Sequence, residues 1–65
     1  MYNIIRFYSD RTPNRRIIAK GRTLAEAQAH CRDPETSSST ATSLGARART
    51  RRYGAWFDDY EEARN

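Results

Sequence analysis

At 65 residues with 37% hydrophobic content, the chain is a single domain (1–65) near the lower size limit for independent folding. Its one cysteine and one histidine exclude an internal disulfide and a four-ligand structural zinc site, which leaves self-association to support so small a core and predicts a homo-oligomer. The net charge of +4 favours anionic partners, while the lack of a long apolar run excludes a membrane span and predicts a soluble, cytoplasmic protein with a reduced thiol.

The opening run from Tyr2 to Tyr8 is aromatic and β-branched and contains no breaker, so it reads as a strand. Its faces alternate Tyr2, Ile4, Arg6, Tyr8 against Asn3, Ile5, Phe7, and the second is the better core face because the first carries a cation. Residues 9–14 hold turn chemistry in Asp10, Pro13 and Asn14. Arg15 to Lys20 forms a second strand closed by Gly21, and the two strands pair as an antiparallel hairpin.

Thr23 followed by Glu26 is a capping-box pattern, and the alanine-rich stretch from Leu24 to Arg32 has high helix propensity. Leu24, Ala27 and Cys31 share the face expected to cover the hairpin. Pro34 stops the helix by forcing Asp33 out of the helical region. Residues 36–45 then form a hydroxyl-rich loop. Beyond it, Arg47, Arg49 and Arg51 alternate with small residues, and this period-two pattern, with Gly45, Thr50 and Gly54, favours a third strand over 46–53 against a helix, which alanine and arginine also suit. The cluster around Trp56, Phe57 and Tyr60 is expected to make a short aromatic C-terminal turn. The predicted fold is α+β, a small antiparallel sheet in the order β-β-α-loop-β with one helix packed on one face.

The run Thr-Leu-x-Glu-Ala-Gln-x-His-Cys-x-Asp-Pro-Glu-Thr-Ser-Ser-Ser-Thr (23–40), with Arg-Arg-x-Gly-x-Trp-Phe-Asp-x-Tyr-Glu (51–61), resembles a family of small proteins of actinobacterial phages and their prophages. The opening Tyr-x-Ile-Ile-Arg-Phe-Tyr is similar too, so the resemblance covers nearly the whole chain. The chain departs from the family pattern at Ala55, where the family carries proline, and at Asp59, where it carries glycine. The resemblance implies a phage-type accessory protein in the cytoplasm of an infected bacterium, and it implies no enzyme chemistry.

Eleven of the twelve cations are arginine, the side chain suited to bidentate phosphate recognition. Residues 1–57 carry eleven of them against four acidic side chains, whereas residues 58–65 carry four acidic side chains against Arg64. The expected ligand site joins Thr36, Ser37, Ser38, Ser39 and Thr40 as phosphate donors to Arg6, Arg49, Arg51 and Arg52, with Trp56 packing on a base. The bland alternatives are a solvated linker, a solvated arginine face and core aromatics. His30 and Cys31 are adjacent on a helix and point apart, so they make no nucleophile–base pair. No metal or cofactor motif is present. The reading is a non-enzymatic, homo-oligomeric protein that binds a small phosphorylated ligand, most simply a nucleotide, and sequesters a host antiviral signal. The alternatives are a small DNA- or RNA-binding regulator and a module that inhibits a host protein through the acidic-aromatic end.

Overall fold

The computed structural model describes residues 1–10 and 12–63. Strand β1 (Tyr2–Tyr8) is followed by β2 (Arg15–Arg22), helix α1 (Leu24–Arg32), one 3₁₀ turn (Pro34–Thr36), helix α2 (Leu44–Tyr53) and strand β3 (Trp56–Glu62). The strands form one antiparallel sheet in the order β2-β1-β3. The α+β class and the helix-covered antiparallel sheet of the sequence reading are therefore present, with the elements after α1 differently placed.

The hairpin closes where the Tyr8 amide donates to the Asn14 carbonyl at 2.8 Å. Both halves of the capping box form: the Glu26 amide donates to Thr23 Oγ1, and the Thr23 amide to Glu26 Oε1. The Thr23 contacts also hold the Glu26 carboxyl below its ordinary pKa. Helix α1 ends at Asp33, whose side chain then caps the 3₁₀ turn by accepting from the Glu35 amide.

The predicted strand over 46–53 is instead helix α2. Ser43 caps it by accepting from the Ala46 amide, and Gly54 ends it at φ 79°. The Arg/Ala alternation carried no real apolar period, because alanine and arginine are both strong helix formers. The positive φ of Gly54 favours glycine, and an added Cβ would lie 2.5 Å from Asp10 Oδ2, so the exposed Asp10 side chain would also have to shift.

The expected aromatic turn is instead strand β3, in unbroken register with β1: Tyr8 faces Trp56, Arg6 faces Asp58 and Ile4 faces Tyr60. That register also corrects the choice of core face. Both helices lie on the Tyr2–Ile4–Arg6–Tyr8 side, where Ala46 packs with Tyr8 and Trp56, and His30 reaches Asp58. A cation on that face is acceptable because a buried carboxylate stands opposite it. The fully or largely buried apolar residues are Ile4, Ile5, Tyr8, Ala27, Ala46 and Trp56. In α1 the close contact falls on Ala27, while Leu24 stays at the rim. No described helix is long and apolar enough to cross a membrane.

Candidate anion site beside helix α2

The hydroxyl tract is folded into the protein by its own hydrogen bonds. Thr36 Oγ1 donates to the Asp33 carbonyl at 2.7 Å, and Thr40 Oγ1 to the Pro34 carbonyl at 2.6 Å. Ser37 and Ser39 hydroxyls lie 3.0 Å apart. Ser38 pairs with the edge of β3: its amide donates to the Trp56 carbonyl at 2.8 Å, and its Oγ accepts from the Trp56 amide at 3.0 Å. Ser37 and Phe57 form an isolated antiparallel bridge. The segment thus extends the sheet beyond β3.

Ahead of α2, the amides of Thr42 and Ser43 and the Thr42 hydroxyl all point at one anion, the carboxylate of Glu35 (2.8, 2.9 and 3.2 Å). Those donors, the Thr42 amide foremost, together with the Ser43 side chain, lower its pKa to about 2. A concavity of amides beside a helix start is the arrangement expected for phosphate, and here the chain fills it with its own side chain.

The ten residues expected to form one site divide into separate groups. Arg6 donates twice to Asp58, at 2.7 and 3.0 Å, and its guanidinium lies 4.8 Å from the Trp56 ring centroid. Burial works to lower the Arg6 pKa, and the contacts with Asp58 and Tyr8 together outweigh it, so the guanidinium is held above its ordinary value. Arg49 also lies 4.8 Å from the Trp56 centroid, and Trp56 Nε1 donates to Thr50 Oγ1 at 3.0 Å. Trp56 is therefore a core residue held by two cations, with no face to offer a base. Arg52 rests on the Tyr53 ring.

Ser38 and Arg51 do come together. With Ala41, Thr50 and Arg47, which the sequence reading left out of the site, they line a cleft of about 340 Å³ between the hydroxyl tract and α2. Arg47 and Arg51 stand one turn apart on the same helix face. Neither has a carboxylate partner among the described residues. Ser38 Oγ uses an acceptor position on Trp56 and keeps its O–H to donate. A second cleft of about 440 Å³ lies across the tract, where Ser37–Ser39 meet Phe7, Phe57 and Asn14.

His30 Nε2 lies 2.9 Å from Asp58 Oδ2, which fixes the ring against the sheet. The nearest thiol is not prepared for chemistry: burial, together with the Asp59 and Asp58 charges, pushes Cys31 above its usual pKa. The other partner of Asp58 is the Arg6 cation, and no group of three metal-ligating side chains occurs among the described residues. Arg47 was legible in principle, because Arg47 and Arg51 share a face once the segment is read as a helix. His30 and Asp58 needed the register of β3. In comparisons with known proteins, no family model, curated protein or solved structure matches the chain.

Proposed function

We propose that this chain is a non-enzymatic binding protein for a small phosphorylated ligand, a nucleotide being the fitting class, held between Ser38 and the Arg47–Arg51 pair. The observation that carries the reading is two arginines, one turn apart and without acidic partners among the described residues, facing a hydroxyl whose hydrogen is uncommitted. Phosphate oxygens suit that set, since guanidinium groups donate in pairs and a serine adds a third direction. For a phage-type protein, sequestering a host nucleotide signal is a role that needs affinity and abundance without catalysis. A polynucleotide is the second reading. It is favoured by the exposure of Arg47, Arg51 and Arg52 on a helix, while Asp59 and Glu61 alternate to the opposite face of the sheet.

The test is titration of the protein with pyrophosphate, mono- and dinucleotides, and single-stranded oligonucleotides of increasing length, at two salt concentrations. Arg47→Ala and Arg51→Ala are each expected to weaken binding by tenfold or more, as loss of a charge-assisted hydrogen bond does. Arg22→Ala should leave it unchanged. Affinity that climbs with oligonucleotide length and falls steeply with salt would favour the second reading. No binding to any of these ligands would overturn both.

A further inference from the structure

The sheet face opposite the helices has a pattern of its own. Ile5 sits at its centre, Phe7 and Phe57 stack at 5.2 Å, and Ile17 lies beside Ile5. Phe57 is 50% exposed and Ile17 44%, high values for large apolar side chains in so small a protein. Across this face Arg15 Nη2 donates to Glu61 Oε1 at 3.0 Å. Arg15 stands opposite Phe7 and Glu61 opposite Asn3, so the register puts Ile5 at the middle of the diagonal between them. The ion pair straps over Ile5, which is 1% exposed, while its own two side chains remain about half exposed (48% and 47%). The face therefore has a cation on the β2 side, an apolar middle, and Asp59 and Glu61 on the β3 side.

We propose that this face is a self-association surface, on which a second copy of the chain packs sheet to sheet about a two-fold axis parallel to the strands. That axis reverses the strand order across the interface. It lays β2 of each copy over β3 of the other, so Arg15 approaches the partner's Asp59 and the partner's Glu61, and Ile5 and Phe7 meet their own counterparts. The other in-plane two-fold sets β2 on β2 and β3 on β3 and opposes like charges. Charge complementarity selects the first.

The reach is available. Packed sheets lie about 10 Å apart, and adjacent strands about 4.8 Å. Arg15 already crosses two strand spacings to meet Glu61 in its own chain, so the same pair can exchange between copies. A second sheet would also cover Phe57 and Ile17, extending a core of six buried apolar side chains. The surface lies on the far side of the sheet from the α2 cleft, and the proposal does not depend on the ligand reading.

Sedimentation velocity from micromolar to millimolar protein provides the test, with the wild type, Phe57→Asp, Arg15→Glu, Glu61→Arg, and an equimolar mixture of the last two. The wild type should be a dimer, and Phe57→Asp a folded monomer with unchanged circular dichroism. Each charge reversal alone should weaken association at least tenfold. The mixture should recover a dimer holding one copy of each variant, because both contacts between position 15 of one copy and position 61 of the other then join opposite charges, although each copy's own strap and one of the two approaches of position 15 to Asp59 are repulsive. A monomeric wild type, an association unaffected by Phe57→Asp, or a mixture no better than either variant alone would overturn the proposal.

Discussion

Asp58 accepts from Arg6 twice and faces His30, with its side chain wholly shielded from water. Charges taken out of water are tolerated only when both are paired and their remaining lone pairs are occupied, and this carboxylate meets that condition. Removing it would leave Arg6, itself only 15% exposed, as an uncompensated buried cation. Asp58→Ala should cost about 3–5 kcal/mol, a large share of the few kcal/mol that a domain of this size possesses. Urea unfolding followed by Trp56 fluorescence measures it, and a loss below about 1 kcal/mol would mean the pair behaves like an exposed one. In the sequence Asp58 reads as part of an acidic tail. The signal that it is not was the inward cation of the first strand: Arg6, flanked by Ile4 and Tyr8, requires an inward acid on the neighbouring strand. Only the strand-to-strand register says which acid that is.

Elements announced by caps and breakers were the legible ones. Thr23 and Glu26 mark the start of α1, and Asp33–Pro34 its end, because those residues act on the backbone within a few positions. Helix α2 was obscured because its exposed face is basic and its buried face is only Ala46 and half-buried neighbours, which leaves little amphipathic contrast. Its start depends on Glu35, eight residues before Ser43, a contact no local pattern shows.

Glu35 gives α2 a dependence on acid. A carboxyl whose pKa is lower folded than unfolded adds stability above its unfolded value and loses that contribution as pH falls towards the folded one. For Glu35 the window runs from the ordinary value of 4.5 down to about 2. Thermal midpoints measured from pH 6 to pH 2 should fall through that window in the wild type. In Glu35→Gln they should start lower and fall less steeply. Parallel curves for the two proteins would show that the carboxylate does not hold the loop to the helix.

For the whole molecule, the sheet order makes β1 the strand on which everything else depends. It pairs with β2 on one side and β3 on the other, and its side chains reach both the helix-covered face and the Phe7–Phe57 face. The hydroxyl segment adds only two residues to the edge of β3, and β2 has one open edge. Loss of β2 or of the segment could leave a β1–β3 pair beneath α1, whereas loss of β1 leaves no sheet. Opening should therefore be graded, with edges released by local fluctuations and β1 only by global unfolding. Amide hydrogen exchange followed by NMR reads this directly. The amides of Ile4, Ile5 and Arg6 should be the slowest in the protein and match the global stability from urea unfolding. Those of Ser37–Thr40 and the outward amides of β2 should exchange faster, with no dependence on denaturant. Protection in the 37–40 segment equal to that of Ile5 would mean that the hydroxyl tract belongs to the cooperative core. The cleft at Ser38 would then be as rigid as the sheet, and a ligand would find the Arg47–Arg51 pair already set. Low protection there, with a rise on adding ligand, would mean that part of the binding energy is used to order the segment.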